Sequence, residues 1–196
     1  MSLNVKLRYN NVILASQSPR REELLRGIIT NFTTKTKPVE EVYPSNLSTE
    51  EIATYLSNLK ASAFENDLED DDIVITADTI VCLGDTILGK PKDLEEATEM
   101  LTLLSGKTHE VITGVTFLSK EKRISFWDKT AVTFYPLTAK EINFYVEDNE
   151  PYDKAGAYGI QEWMGYIAIK EIKGDYYNVM GLPLHKVYRK MLKFIS

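Results

Sequence analysis

Two hydroxyl groups and two guanidinium groups stand close together near the beginning of the sequence, on Ser16, Ser18, Arg20 and Arg21. Guanidinium groups form charge-assisted hydrogen bonds to phosphate, and free N–H groups at a helix N-terminus add further donors. Two cations in the first turn of a helix are unfavourable for its dipole unless an anion lies nearby. The pattern predicts a phosphate site; the alternative is that both arginines point into solvent.

The local sequence around these side chains predicts the elements that carry them. Val12–Ala15 is an apolar run typical of a buried strand. Ser18 is a favourable N-cap, and Pro19 suits the first helical position because an N–H group would have no partner there. We therefore expect a strand, a tight serine-rich loop and the N-terminus of a helix.

Asp78 is the best single candidate for a general base or a metal ligand. It follows Ile73–Ala77, a β-branched run that predicts a strand, and so it is expected at the carboxyl end of that strand. Thr79–Leu83 is expected to continue in an extended conformation. Ligands of α/β sheets bind outside such strand ends. Thr79 could hydrogen-bond the carboxylate or contact a ligand. The alternative is a turn residue that bonds its own backbone.

Three lysines lie in tight, small-residue surroundings: Lys90 in Gly-Lys-Pro, Lys107 in Ser-Gly-Lys-Thr and Lys154 in Asp-Lys-Ala-Gly-Ala. Glycine beside a cation allows the backbone to approach a bound phosphate closely. The chain has a net charge of −6, so a cluster of cations in it is unusual. Together with the two arginines, these lysines favour a polyanionic small molecule as ligand.

Two familiar motifs are excluded by their spacing. Gly106-Lys-Thr108 is not a Walker A loop, because position 101 is leucine in a predicted helix where that motif needs glycine. His109-Glu110 is not a zinc-binding helix motif, because Thr113 stands where the second histidine belongs. With two histidines and one cysteine in the chain, structural zinc and a histidine-based triad are not expected.

Carboxylate oxygens are then the remaining ligands for a metal, and they favour Mg²⁺ or Mn²⁺. Glu40 and Glu41 are candidates for a second carboxylate beside Asp78. The alternative for both is a pair of charges in a solvated loop. His185, in the first turn of the last predicted helix, is expected to be a partly packed side chain.

The order of elements predicts an α/β protein with a partly antiparallel sheet, forming a single domain over residues 1–196. Three helices carry N-cap signals, namely Ser48 with Glu51, Asp93 with Glu96, and Thr138 with Glu141. The predicted helices run to about Phe64, Leu104 and Val146, and a last helix opens at Pro183. The predicted later strands are His109–Leu118, Ile124–Tyr135, Ile167–Ile169 and Tyr176–Val179, and Gly84-Asp85 predicts a hairpin turn.

Several classes of protein are disfavoured by composition. No apolar run reaches the length of a membrane span, and the first residues lack a signal-peptide core, so we expect a cytoplasmic protein without a membrane partner. The single cysteine, Cys82, excludes an internal disulfide. The acidic net charge argues against binding of nucleic acid, which needs a basic face.

The motifs occur in an order that resembles the Maf family of nucleoside triphosphate pyrophosphatases, named after a septum-formation inhibitor. The resemblance runs nearly from end to end and implies an α/β, Maf/ITPase-like two-lobed fold, with a twisted mixed sheet flanked by helices, a central cleft and a homodimer. The matching segments are Ala15–Arg21, Ala77–Thr79, Gly89–Pro91, Ser105–Val111, Tyr152–Gln161 and Val179–Pro183.

The resemblance also implies an activity. Members hydrolyse a nucleoside triphosphate between the α and β phosphates and release a monophosphate and pyrophosphate. The segment ending Ala157-Tyr-Gly-Ile-Gln161 resembles the branch that acts on dTTP and UTP, whereas the 7-methyl-GTP branch differs there. We therefore expect turnover of dTTP, UTP and modified pyrimidine nucleotides.

Roles carried over by motif make Asp78 the proton acceptor and assign substrate specificity to Arg20, Thr79 and Gln161. An amide both donates and accepts, which matches O4 and N3–H of uracil or thymine, while cytosine reverses the pattern. Because an amide can flip, rejection of cytosine needs a second polar contact held in place.

Further roles implied by the resemblance concern phosphate and metal. Arg21, Lys60 and Lys90 would contact phosphates or the catalytic site, and Glu41 would share a divalent cation with Asp78. The family commonly has glycine directly after the glutamine, whereas this chain has Glu162-Trp163, a difference that bears on the dimer contact or the mouth of the cleft.

Two alternatives to this function remain open at the level of sequence. One is a preference for another nucleotide, such as 7-methyl-GTP. The other is a nucleotide-binding regulator of cell division and septum formation that binds without turnover.

Overall fold

The protein, described here over residues 3–196 by a computed structural model, is a mixed α/β protein with an open sheet of seven strands flanked by helices. Its strands are β1 (Asn11–Leu14), β2 (Thr33–Thr34), β3 (Asp72–Leu83), β4 (Thr86–Leu88), β5 (Thr108–Leu118), β6 (Arg123–Phe134) and β7 (Ile169–Lys173). Its α-helices are α1 (Leu3–Lys6), α2 (Pro19–Arg26), α3 (Thr49–Ser62), α4 (Leu94–Leu104), α5 (Ala139–Asn149), α6 (Trp163–Ala168), α7 (Tyr176–Val179) and α8 (Leu184–Phe194). Single 3₁₀ turns occur at Glu65–Asp67 and Ala155–Ala157.

The sheet is mixed, as the sequence predicted. Its strand order is β2-β1-β3-β5-β6-β7, and β4 pairs with β3 off this path. β1 runs parallel to both β2 and β3, with Val12 opposite Ile73. The pairs β3–β4 and β6–β7 are antiparallel, and the first of these is the hairpin expected at Gly84-Asp85.

The chain divides into two compact units, and neither is one continuous segment. The first unit comprises the described residues up to Asp78, Thr113–Asp128 and Gly181–Ser196. The second comprises Thr79–Ile112 and Lys129–Met180. The single domain expected from the sequence stays a prediction.

In the first unit, α3 packs against the sheet at very close range. A Cβ atom on Gly114 of β5 would lie 2.1 Å from the carbonyl oxygen of Ala53, so only glycine leaves room for this helix. The Ser57 hydroxyl lies 3.0 Å from the Thr116 hydroxyl, and Thr76 of β3 donates to the Ser57 carbonyl at 2.6 Å. These contacts hold the middle of α3 over β3 and β5.

The second unit has an apolar core of its own. α4 and α5 pack together and contribute buried residues at helical spacing. These include Leu101, Leu104, Ile142, Tyr145 and Val146, each 3% exposed or less. The phenol of Tyr145 is therefore enclosed by the protein.

The predicted helix starts are confirmed. Ser18 caps α2 with Pro19 in the first turn, and the capping boxes of α3 and α5 have both of their hydrogen bonds. Asp93 caps α4 by accepting from the Glu96 N–H group at 2.9 Å. The ends are less accurate, since α3 ends at Ser62 and α5 continues to Asn149, where Glu150 adopts a left-handed conformation.

Two predicted strands are wrong. Ile167 and Ala168 belong to α6, where Met164 and Ala168 are fully buried at helical spacing, and a strand begins only at Ile169. Tyr176–Val179 is a helical turn capped by Asp175, whose side chain accepts from the Tyr177 N–H group at 3.0 Å. Short apolar runs do not distinguish a strand from a buried helical turn by periodicity.

The expected position of Asp78 at the end of a strand is also wrong. β3 continues through Asp78 to Leu83, because the residues beyond it pair with β4, with Val81 opposite Leu88. Asp78 therefore lies in the middle of β3.

Within residues 3–196, no helix is both long and apolar enough to cross a membrane.

Candidate active site

The serine-rich loop before α2 is held by its own hydroxyl groups. The Ser16 hydroxyl accepts a hydrogen bond from the Ser18 N–H group at 3.2 Å. The Ser18 hydroxyl accepts from the Arg21 N–H group at 3.5 Å, as an N-cap should. Both hydroxyls still have a proton to donate, so the loop keeps the donor set that the sequence suggested for a phosphate.

The guanidinium group of Arg21 does not point freely into solvent. Its Nε donates to the carbonyl of Gly181 at 2.8 Å, and one Nη donates to the carbonyl of Ala77 at 2.9 Å. Burial lowers the pKa of Arg21, the Asp78 carboxylate opposes this shift, and the charge of Arg20 adds to it. The alternative that Arg21 points into solvent is therefore wrong. The two carbonyl oxygens stabilise part of the positive charge that Arg21 adds to the first turn of α2.

Lys60, in the last turn of α3, joins two of the candidate carboxylates. Its ammonium forms an ion pair with Asp78 and a second one with Glu41 at 2.9 Å. Asp78 is buried, at 6% exposure, whereas Glu41 is about half exposed. We call Arg21, Glu41, Lys60 and Asp78 the acid–base cluster; all four belong to the first unit.

The acid–base cluster fits a divalent cation by its donor chemistry. Asp78 and Glu41 present carboxylate oxygens to the same ammonium, so their acceptor atoms already converge on one positive charge. Mg²⁺ is commonly bound by one or two carboxylates together with substrate phosphates and water. Glu40 has no such contact with Lys60 among the described ion pairs, which singles out Glu41.

Arg20 and Thr79 flank this cluster in sequence. Arg20 precedes Arg21 and is partly buried. Thr79 follows Asp78 on β3, so its side chain points to the opposite face of the sheet. Both side chains make interactions within the fold. Their assignment to substrate specificity stays a prediction.

Two of the lysine-containing loops are linked in the second unit. The Gly156 N–H group donates to the carbonyl of Gly89 at 3.0 Å, which connects the Gly-Lys-Pro loop to the loop after Lys154. The side chain of Lys90 is exposed. Lys154 is buried and its ammonium contacts Asp153 at 2.7 Å, so its predicted role toward phosphate has a competing acid nearby. Lys107 is exposed after α4.

Gln161 lies at a turn of the second unit with an unsatisfied acceptor. Its Oε1 atom is buried and has no hydrogen-bond partner in the part of the chain that the structure describes. Beside it, Glu162 accepts from the Tyr145 hydroxyl at 2.6 Å and pairs with Lys154 at 3.2 Å. The contribution of Tyr145 could not be recognised from the sequence, where it only marks the apolar face of a helix.

A separate cavity of about 1020 Å³ lies in the first unit along α3, the beginning of β6 and α8. Tyr55 and Trp127 contribute to its wall, as does His185, which was expected to be partly packed and proves to be exposed. None of the predicted site residues lines it. Volume alone therefore does not locate the candidate site.

Comparison with known proteins agrees with the motifs. A dTTP/UTP pyrophosphatase of Porphyromonas gingivalis strain W83 is 47% identical over 191 residues, covering 96% of both chains. A dTTP/UTP pyrophosphatase of Cytophaga hutchinsonii is 50% identical over 190 residues, covering 97% of this chain and 87% of the relative.

Among solved structures, the Staphylococcus aureus Ham1 protein aligns with a TM-score of 0.46 and 16% identity over 64% of this chain and 72% of its own. That similarity is too low to bear on function. The family model of Maf-like proteins, in contrast, matches residues 11–194. With this match and relatives close to half identical over nearly their whole length, the chain belongs to the Maf family.

Proposed function

We propose that this protein is a nucleoside triphosphate pyrophosphatase that converts dTTP, UTP and modified pyrimidine nucleotides to the monophosphate and pyrophosphate. The observation that carries the proposal is the acid–base cluster, in which a buried carboxylate on Asp78 lies beside the cations Lys60 and Arg21. The naming of relatives such as that of Porphyromonas gingivalis as dTTP/UTP pyrophosphatases supports this choice of substrates.

In this proposal Asp78 accepts the proton of the water that attacks the α-phosphorus. A positioned carboxylate can act as such a base when its proton-accepting oxygen is held near the reacting water. Lys60 and Arg21 supply fixed positive charge, which stabilises the negative charge that develops on the phosphate oxygens in the transition state. Ser16, Ser18 and Arg20 would bind phosphate or set specificity at the neighbouring loop.

Asp78 and Glu41 would hold the divalent cation, Mg²⁺ or Mn²⁺. When bound, such an ion neutralises phosphate charge and polarises the phosphoryl group. Lys60 already bridges the two carboxylates, so it keeps them together before a metal arrives. Chelation should then abolish turnover, and added Mg²⁺ or Mn²⁺ should restore it.

Base recognition is assigned to residues of the second unit. We propose that Gln161 accepts from N3–H of uracil or thymine through its buried Oε1 atom, which has no partner within the described residues. Thr79 would contribute to the same specificity, and Lys90 and Lys154 would contribute to phosphate binding. N3 of cytosine is an acceptor and would face the Oε1 acceptor of Gln161, so CTP should be a poorer substrate when a second contact keeps the amide from flipping.

The test is release of pyrophosphate from a panel of UTP, dTTP, CTP and 7-methyl-GTP with Mg²⁺ or Mn²⁺. The proposal expects the highest kcat/KM for UTP and dTTP, with the monophosphate as the other product. Strong turnover of 7-methyl-GTP without turnover of UTP would overturn the substrate assignment. Release of inorganic phosphate in place of pyrophosphate would overturn the reaction.

One variant distinguishes the proposed enzyme from a regulator that binds nucleotide without turnover. An Asp78→Asn protein that binds UTP but does not hydrolyse it should also lose any effect on cell division if that effect depends on turnover. Retention of the effect in the inactive variant would favour a nucleotide sensor. The enzyme is preferred because the base candidate and the cations occur together in the acid–base cluster.

We also propose that the chain works as a single-domain homodimer in the cytoplasm without a nucleic-acid partner. The net charge of −6 supports the last part, since nucleic-acid binding depends on local excess of positive charge. Light scattering of the purified protein and its elution with and without nucleic acid test the oligomeric state and the absence of a nucleic-acid complex.

A further inference from the structure

Gln161 stands near the tip of a tight turn whose backbone is closed by a hydrogen bond. The N–H group of Glu162 donates to the carbonyl of Gly159 at 3.1 Å, so Ile160 and Gln161 are its central residues. The Ile160 carbonyl lies against Gly165, where a Cβ atom would be only 1.7 Å from the oxygen. The backbone of this turn therefore has little room to shift.

A single oxygen connects both ends of the same turn. The Tyr145 hydroxyl accepts from the Gly159 N–H group at 3.1 Å and donates to Oε2 of Glu162 at 2.6 Å. Tyr145 is fully buried in α5, and its ring stacks on Trp163 with 6.4 Å between centroids. The hydroxyl is therefore held at a fixed point, and it holds the first and last residues of the turn.

The carboxylate of Glu162 is fixed from two further directions. Its Oε1 atom pairs with Lys154 at 3.2 Å, and Lys154 is itself buried. A Cβ atom on Gly159 would lie 2.5 Å from the carboxyl carbon, so the side chain occupies space that only glycine leaves open. The residue that differs from the family's common glycine thus makes an ion pair and a hydrogen bond.

The turn carries a buried side-chain acceptor that no donor in the described part of the chain satisfies. Among residues 3–196, the buried Oε1 of Gln161 has no hydrogen-bond partner, an arrangement that costs about 1–3 kcal/mol unless a ligand supplies a donor. We propose that Tyr145 and Glu162 are positioning residues that clamp this turn and so fix the Gln161 amide for recognition of uracil or thymine. This inference rests on the proposed function and adds to it the residues that keep the amide in place.

The first variant is Tyr145→Phe, which removes one hydroxyl and keeps the buried ring. We expect the ratio of kcat/KM for UTP to that for CTP to fall by about tenfold, because the turn can then shift and the Gln161 side chain that it carries is no longer held in one position against the base. The effect should appear as a higher KM for UTP with little change in kcat. Tyr166→Phe is the matched control, since the Tyr166 side chain is highly exposed, and its ratio should equal that of the wild type.

The second pair of variants is Glu162→Gln and Glu162→Ala. The amide of glutamine can still accept from Tyr145 but loses the charge that attracts Lys154, so its UTP-to-CTP ratio should lie between wild type and Glu162→Ala. Glu171→Gln is the control because Glu171 forms an exposed pair with Lys173 at 3.3 Å. If Tyr145→Phe does not fold, the inference is tested by whether the UTP-to-CTP ratio decreases from wild type to Glu162→Gln and further to Glu162→Ala.

Two results would overturn the inference. Folded variants that keep the wild-type ratio would show that the clamp does not control the amide. An equal loss of kcat/KM for UTP and CTP, with a lower Tm, would show a structural role alone.

Failure of the proposed function is a different outcome, in which wild-type protein releases no pyrophosphate from any nucleotide. In that case calorimetric affinities for UMP and CMP replace turnover. Preference for UMP that is lost in Tyr145→Phe supports the clamp, and a wild type without such preference overturns it.

Discussion

Lys60 and Asp78 form an ion pair between the last turn of α3 and the middle of β3. The pair depends on the close packing of α3, since Gly114 and the Ser57 hydrogen bonds bring the helix onto the sheet. The same ammonium also holds Glu41, which comes from a loop. Lys60 thereby brings together two carboxylates, those of Glu41 and Asp78, that are far apart in sequence.

Asp78→Asn should abolish most of the turnover without unfolding the protein. The amide has the same shape and can still accept from Lys60, but it cannot take a proton from water, so kcat for UTP should fall by a factor of about 100 to 10,000. Pyrophosphate release and UTP binding measure the two effects separately. Asp85→Asn, in the exposed β3–β4 turn, is the control and should retain full activity. Wild-type kcat in Asp78→Asn would refute the assigned base.

Lys60→Met should lower the stability of the first unit. It removes the partner of a buried carboxylate, and with Lys60 21% exposed the expected loss in free energy of unfolding is about 2 kcal/mol, below the range for fully buried pairs. Denaturant unfolding measures this loss. Lys120→Met, which breaks the exposed pair with Asp70, should cause no measurable change. Equal effects of the two variants would contradict the importance of burial.

Gly114→Ala should separate α3 from the sheet. The added Cβ would lie 2.1 Å from the Ala53 carbonyl oxygen, and the backbone shift needed to relieve it should cost about 3 kcal/mol. Turnover should fall as well, because Lys60 moves with the helix. Gly89→Ala has no atom within 4 Å of the new Cβ and should change unfolding by less than about 0.5 kcal/mol. Unchanged stability of Gly114→Ala would disprove the close packing.

His109 should make stability depend on pH. Its Nε2 lies 2.7 Å from the Tyr158 hydroxyl, and burial lowers its pKa from 6.5 to about 4. The unfolded chain therefore takes up this proton near pH 6.5, whereas the folded chain does so only near pH 4. The free energy of unfolding should decrease as pH falls through that window, by about 3 kcal/mol at most.

Urea unfolding from about pH 7.5 to about pH 4.5 measures this dependence. His109→Gln can keep a hydrogen bond to Tyr158. It should remove the imidazole's contribution to the slope of the free energy of unfolding against pH. A His109→Gln slope equal to that of the wild type would contradict the prediction.

Much of the local structure was predictable because the signals are short in range. The caps at Ser18, Ser48 and Thr138 each depend on a side chain that bonds an N–H group three residues on. β1, β3, β5 and β6 followed from apolar and β-branched runs, and the hairpin followed from Gly84-Asp85. Such signals also located the serine-rich loop as a candidate anion site.

The errors arose where tertiary contacts decided between similar local options. α6 and α7 form helical turns because buried contacts favour them, as for Asn178, whose amide donates to the Val111 carbonyl at 2.9 Å. Asp78 lies within a strand because pairing with β4 extends β3 beyond it. The contact between Asn178 and Val111 joins residues 67 positions apart, so it is not visible in the sequence around either residue.

The sequence by itself determined the family motifs, the helix starts and the set of charged side chains available for binding phosphate. Tertiary structure alone decided how those charges are used. In the folded chain, Arg21 donates hydrogen bonds to the carbonyls of Ala77 and Gly181. Lys60 forms ion pairs with both Glu41 and Asp78. The Tyr145 hydroxyl accepts a hydrogen bond from Gly159 in the turn that contains Gln161. The physical reason is that hydrogen bonds and ion pairs depend on distance in space, and folding brings together groups that the chain keeps far apart.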